Sequence, residues 1–133
     1  MKYISGTYSL NLICKTLGTP GDWHHSSLNW EQIPLYDSSS SIYGDFGIDS
    51  TVRIGDTTYR LANHLRACLD LIEDGKYGAA QQMREYYLSD ESLTPIVFEK
   101  VFQLKNSTRW SEINRFMGKE YGIDWLNFLE SGI

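Results

Sequence analysis

The chain has 133 residues, of which 41% are hydrophobic, 22% charged and 14% aromatic, and its formal net charge is −5. This length predicts a single domain over residues 1–133, and the composition excludes a disordered chain. The acidic balance, without any run of Lys or Arg, excludes non-specific nucleic-acid binding, and no segment approaches the ~18 apolar residues of a membrane span.

Cysteine usage and the first residues indicate the compartment. Cys14 falls in a predicted strand and Cys68 on the apolar face of a predicted helix, so both are expected to be buried free thiols, as in a reducing compartment. Residues 1–6 contain one lysine and lack the apolar stretch of a secretory signal. We therefore predict a cytoplasmic protein.

The first half of the chain is rich in strand and turn signals. Apolar and polar residues alternate from Tyr8 to Cys14 and from Ile42 to Asp49, which predicts two half-buried strands. Val52–Ile54 and Thr57–Arg60 flank Gly55-Asp56. Because glycine at the first central position suits a type II′ turn, we predict a hairpin there.

The segments between these strands are less regular. Glu31–Tyr36 is predicted as a further strand, which Pro34 confines to a sheet edge because proline cannot donate a backbone hydrogen bond. Gly18–Asn29 and Asp37–Ser41 are rich in turn-forming residues and are predicted as loops.

The clearest helical pattern runs from Leu61 to Ile72. Its apolar stripe, at helical spacing, consists of Leu61, Leu65, Cys68, Leu69 and Ile72. The opposite stripe, which we expect to face solvent, consists of Asn63, Arg66, Asp70 and Glu73. Gly75 supplies the left-handed residue that commonly ends a helix.

Further helices are predicted downstream. One covers Tyr77–Leu88, and a second begins at Thr94-Pro95. A third, capped by Ser107 or Thr108, carries Trp110 and stops at Gly118, and the last is capped by Asp124. Strands followed by helices predict an α+β fold, in which a small N-terminal antiparallel sheet precedes a C-terminal set of four to five short helices.

The loop Gly21–Trp30 is the most unusual segment of the sequence. It holds two of the three histidines and two of the four tryptophans. Loops on a rigid scaffold concentrate binding residues, and aromatic rings anchor interfaces. We therefore predict that Trp23, His24 and Trp30 bind a partner.

The same loop has an alternative interpretation as a metal site. Asp22 and His24, together with His64, would form a mixed nitrogen and oxygen ligand set for a small metal-dependent hydrolase. Adjacent histidines on an extended segment point to opposite sides, however, and no metal-binding motif accompanies them. We predict no catalytic residue, no metal ligand and no cofactor, and keep the hydrolase as the alternative.

The polar stripe of the first helix offers a second candidate site. Asn63 and Arg66, approached by Arg84 from the next helix, would suit a carboxylate or phosphate, and we add Asn63 and Arg66 to the predicted binding residues. The alternative is a solvated face with a weak ion pair.

Four phrases of the sequence form a distinctive combination: Gly21-Asp22-Trp23-His24, Ser41-Ile42-Tyr43-Gly44-Asp45-Phe46-Gly47-Ile48, Ala62-Asn63-His64-Leu65-Arg66-Ala67 and Phe116-Met117-Gly118-Lys119-Glu120-Tyr121. They resemble a family of small, uncharacterised bacterial cytosolic proteins of the accessory genome. The resemblance spans most of the chain and implies no known activity, cofactor or catalytic residue. It implies roles such as an antitoxin, an anti-defence factor or a regulator encoded by a mobile element.

The aromatic loop and the lack of a catalytic constellation favour a non-enzymatic interaction or regulatory protein whose partner is another protein. Besides the hydrolase, an anti-defence inhibitor that presents acidic surface to a nucleic-acid-binding protein is an alternative. We expect no direct nucleic-acid binding and no membrane association, and the sequence leaves homo-oligomerisation open.

Overall fold

The computed structural model of the protein describes residues 1–21 and 28–131. Of these residues 46% are helical and 14% extended, which confirms the α+β prediction. The strands are β1 (Lys2–Tyr3), β2 (Tyr36–Asp37), β3 (Ser50–Ile54) and β4 (Thr57–Leu61). The helices are α1 (Gly6–Leu10), α2 (His64–Glu73), α3 (Tyr77–Ala80), α4 (Met83–Tyr86), α5 (Thr94–Phe102), α6 (Trp110–Tyr121) and α7 (Ile123–Glu130).

Two antiparallel strand pairs are joined through Ile4. β1 pairs with β2, and β3 pairs with β4. The Ile4 backbone N–H donates to the Arg60 carbonyl at 2.9 Å, and the Ala62 N–H donates to the Ile4 carbonyl at 2.9 Å. The strands therefore follow the spatial order β2-β1-β4-β3, which leaves β3 at an outer edge. The predicted hairpin is confirmed, with φ +61° at Gly55.

Helix α2 lies at the centre of the molecule. It begins at Asn63, whose side-chain oxygen accepts from the Arg66 N–H at 2.8 Å, and it ends before Gly75, whose φ of +77° confirms the predicted stop. Every residue from His64 to Ile72 is buried, because α1, α3 and α5 pack around the helix. The expectation that the polar stripe faces solvent is therefore wrong for Asn63, Arg66 and Asp70.

The strand predicted from Tyr8 to Cys14 is wrong. Residues Gly6–Leu10 form α1, which packs against α2 and buries Ser9 and Leu10. The left-handed φ of +58° at Gly6 turns the chain out of β1, and a Cβ there would lie 2.7 Å from the Tyr36 hydroxyl. Alternation over so few residues is compatible with a single helical turn, and packing on α2 selects the helix. Cys14 is nevertheless buried and free, as is Cys68.

The strand predicted from Ile42 to Asp49 is also wrong, because this segment forms consecutive turns. Arg66 Nη1 donates to the carbonyls of Gly44 at 2.7 Å and Phe46 at 2.5 Å. In a strand these two carbonyls would lie about 6.6 Å apart, too far to share one nitrogen. Left-handed Gly44 and Gly47 make the convergence feasible, and a Cβ on Gly47 would lie 2.6 Å from the Arg66 Cβ.

Several other predicted strands and helices differ from the structure in where they begin or end. Within Glu31–Tyr36 only Tyr36 is in a strand, and the Ser run after Asp37 forms a 3₁₀ turn. The predicted helix Tyr77–Leu88 is broken at Gln82, where φ is +65°, because the Glu120 carboxylate accepts the Met83 N–H at 3.0 Å. Helix α6 continues past Gly118 to Tyr121 and ends at Gly122, and the start of α5 at Thr94-Pro95 is confirmed.

Candidate functional site

The aromatic loop is described only in part. Trp23 and His24, which we predict to bind a partner, lie outside the described residues, as do Asp22 and His25. Trp30 is half-buried, and its ring packs edge-on against Tyr8 of α1 with the centroids 5.0 Å apart. The Tyr8 hydroxyl accepts the Asn29 N–H at 3.0 Å, which ties this end of the loop to α1. Trp30 is thus held on the scaffold with part of its ring accessible.

Trp30 forms one wall of a groove of about 540 Å³. Residues of β3 and of the segment that follows α1 also line the groove. Its apolar lining is contributed by Leu12, Ile13, Trp30, Val52 and Leu61. Ile13 is 58% exposed, so its apolar surface is accessible from the groove.

The outer edge of β3 runs along this groove and directs backbone hydrogen-bonding groups outward. Thr51 pairs with Arg60 and Arg53 with Thr58. The Arg60 carbonyl points away from β3 towards Ile4, so Arg60 and Thr51 form a non-hydrogen-bonded pair of the hairpin. Arg53 and Thr58, two residues along, form another. The backbone N–H and C=O groups of Thr51 and Arg53 therefore point away from β4, to the outer edge of β3. No hydrogen bond from another segment within the described residues reaches them. β3 therefore offers N–H and C=O groups to an added strand.

Two further features of the groove concern its charged and polar lining. Its charged lining residues, Lys15 and Arg53, are both basic in a chain of net charge −5. Asn11 also lines the groove, and its side-chain oxygen is buried without a donor among the described residues. A buried acceptor left unpaired costs about 1–3 kcal/mol of stability.

Arg66 and Asn63 lie away from this groove, inside the protein. Arg66 donates to Asp70 at 2.9 Å and to the Tyr3 hydroxyl at 2.9 Å, in addition to its two carbonyl acceptors. Asp70 accepts from Tyr3 at 2.7 Å and from Ser5 at 2.6 Å. Burial and, to a lesser extent, the hydrogen bond to Asp70 raise the pKa of Tyr3 well above its ordinary range. These contacts make Arg66 a cross-link between β1, α2 and the turns at 44–47.

Like Arg66, Asn63 forms hydrogen bonds that connect α2 to other segments of the protein. Besides capping α2 through its oxygen, it donates its amide N–H to the Asp49 carboxylate at 3.0 Å. The expected approach of Arg84 to this stripe is wrong, since Arg84 donates to Asp124 at 2.7 Å.

His64, which the hydrolase alternative would use, is also engaged within the protein. Its Nε2 lies 2.8 Å from the Leu12 carbonyl, and its Nδ1 lies 2.7 Å from the Thr19 hydroxyl. Burial lowers the pKa of His64, against the opposing effect of the Leu12 carbonyl. Because Leu12 lines the groove, His64 connects that wall to α2. Burial also raises the pKa of the Cys68 thiol.

The sequence interpretation missed Ile13, Thr51, Val52 and Arg53 as parts of a site. A hairpin whose outer edge lacks a predicted neighbour would have been the available signal. Within residues 1–21 and 28–131, no group of three or more His, Cys, Asp or Glu side chains is arranged as a metal site. None of the described helices is long and apolar enough to cross a membrane.

Comparison with protein-family models, with curated proteins and with solved structures finds no significant match.

Proposed function

We propose that this is a non-enzymatic interaction protein, which binds an extended segment of a partner protein in the groove between Trp30 and β3. The observation that carries the proposal is the outer edge of β3, which no other described segment pairs with, beside accessible apolar side chains. Peptides that add a strand to a sheet edge gain affinity from main-chain hydrogen bonds and specificity from pockets for alternate side chains. A regulatory role would follow from occupying a segment that the partner needs elsewhere.

The groove has the elements that such binding requires. Thr51 and Arg53 supply backbone donors and acceptors two residues apart, which is the repeat of an added strand. Val52 lies between them, and its side chain lines the groove together with Trp30 and Ile13. An added segment would therefore place alternate side chains against an apolar surface with an aromatic anchor.

The proposal is tested by selecting a phage-displayed library of random twelve-residue peptides on the immobilised protein. The enriched peptides are then measured by fluorescence anisotropy against variants. Thr51→Pro removes one outward N–H of β3 without touching the β3–β4 hydrogen bonds, and we expect it to weaken binding at least about tenfold, the loss of one to two main-chain bonds. Trp30→Ala should weaken binding similarly.

Thr58→Pro is the matched control. Thr58 pairs with Arg53 in the same non-hydrogen-bonded position, but its N–H faces the opposite edge of the hairpin. It should bind the enriched peptides as the wild type does. Failure to enrich any peptide, or equal losses in Thr51→Pro and Thr58→Pro with both proteins folded, would contradict the proposed function.

A further inference from the structure

We infer that the segment bound at β3 is acidic, with carboxylate side chains alternating with apolar ones. This inference rests on the proposed function and names the chemistry of its partner. The evidence for an acidic segment is the set of positively charged side chains around the outer edge of β3. Arg53 and Arg60 project from the same face of the hairpin, because Arg60 pairs with Thr51 and Thr51 lies two residues before Arg53 on β3. Lys15 also lines the groove.

Among the described residues, the acidic groups near these cations form no strong ion pair with them. Asp49, which precedes β3, accepts hydrogen bonds from Asn63 at 3.0 Å and from Thr16 at 3.4 Å. Asp56 lies 4.0 Å from Arg53, but the Arg53 side chain is 71% exposed and Asp56 is fully exposed, so this pair is weak. Within the described part of the chain, Lys15 and Arg60 form no ion pair and Arg53 forms only this weak one, so the edge is basic in a protein of net charge −5.

The geometry of strand addition assigns the positions of the partner's side chains. A residue opposite Val52 would direct its side chain into the apolar groove, because directly opposed residues share a face. Its neighbours along the segment would lie on the other face, across from Thr51 and Arg53. Carboxylates at those neighbouring positions would meet Arg53, and cross-strand pairs of opposite charge are favourable.

The same charges argue against a second copy of this chain as the occupant. Symmetric pairing of β3 with β3 would bring Arg53 and Lys15 of both copies to one interface, where like charges repel. Edge cations of this kind oppose self-association and leave the edge open to an acidic segment.

The composition of the enriched peptides tests the inference. We expect Asp and Glu to exceed Lys and Arg and to alternate with apolar residues, and the affinity of an enriched peptide to fall severalfold between 50 and 300 mM salt. The double variant Lys15→Glu with Arg53→Glu should lose the acidic peptides at least tenfold and enrich basic ones instead. Lys105→Glu, an exposed charge after α5, is the control and should change neither.

The failures can be told apart. Enriched peptides without acidic preference, sensitive to Thr51→Pro but not to salt, would overturn this inference and leave the proposed function standing. A dimer detected by sedimentation and abolished by Thr51→Pro would show that a second copy occupies the edge, which also overturns it. No enrichment at all would overturn both.

Discussion

Arg66 and Asp70 form an ion pair inside the protein, with Arg66 Nε 2.9 Å from the Asp70 carboxylate and side chains that are 0% and 2% exposed. One helical turn separates the two residues on α2. Their other side-chain hydrogen bonds within the described residues go to Tyr3 of β1, to Ser5 and to the turns at 44–47. The pair thereby holds the strand region against the central helix.

Breaking this pair should destabilise the fold strongly. We predict that Asp70→Ala lowers the free energy of unfolding by about 3–5 kcal/mol, because it leaves a buried guanidinium without its counter-ion. Asp124→Ala, which removes the partly exposed pair with Arg84, should cost under about 1 kcal/mol. Urea denaturation of both variants measures the difference, and similar costs would contradict the structural role of the buried pair.

Two buried tyrosines should respond oppositely to loss of the hydroxyl. The Tyr121 hydroxyl is buried without a partner among the described residues, so Tyr121→Phe should leave stability unchanged or raise it by about 1 kcal/mol. The Tyr3 hydroxyl joins Arg66 and Asp70, and Tyr3→Phe should cost about 1.5–3 kcal/mol, as for hydrogen bonds to charged groups. A loss of stability in Tyr121→Phe as large as in Tyr3→Phe would refute this assignment.

His64 should contribute stability that acid removes. Burial lowers its folded pKa below the ordinary value of 6.5. The unfolded chain therefore takes up the proton at higher pH, so the stabilisation is full above about pH 6.5 and is lost as the pH falls towards the folded pKa. We predict that the stability gap between wild type and His64→Gln narrows from pH 8 to pH 5.

Denaturant melts at several pH values measure this gap. Asp74 and Glu120, whose pKa values are raised by burial, titrate in both proteins and cancel in the difference. A gap that stays constant over the range would contradict the prediction.

Substitutions on α2 should distinguish its core from its outer end. Leu65→Ala should cost about 2–4 kcal/mol through the cavity it leaves. From sequence alone Glu73 belongs to an exposed stripe and its removal should cost nothing. In the structure its carboxylate accepts from the Ser41 hydroxyl at 2.7 Å and the Ile42 N–H at 3.2 Å, so Glu73→Ala should cost about 1 kcal/mol. Thermal melts that show no change in Glu73→Ala would favour the simpler expectation.

The features whose causes are local could be predicted from the sequence. The hairpin followed from Gly55 at a turn position, the end of α2 from Gly75, and the start of α5 from Thr94-Pro95. The burial of Cys68 followed from helical periodicity. In each case the decisive physical effect, a backbone dihedral or the repeat of one helix, acts within a few residues.

Tertiary contacts decided the rest. Residues Gly6–Leu10 form a helix because they pack against α2. Residues 44–47 form turns and not a strand because two of their carbonyls accept hydrogen bonds from the same nitrogen of Arg66. From the sequence, Arg66 is predicted to face solvent. The periodicity of one helix cannot show that α1, β1 and the turns at 44–47 cover the polar face of α2. The groove could not be predicted from the sequence either, because the residues that line it come from segments that are distant in the chain. Whether a strand lies at a sheet edge also depends on which other segments pair with it.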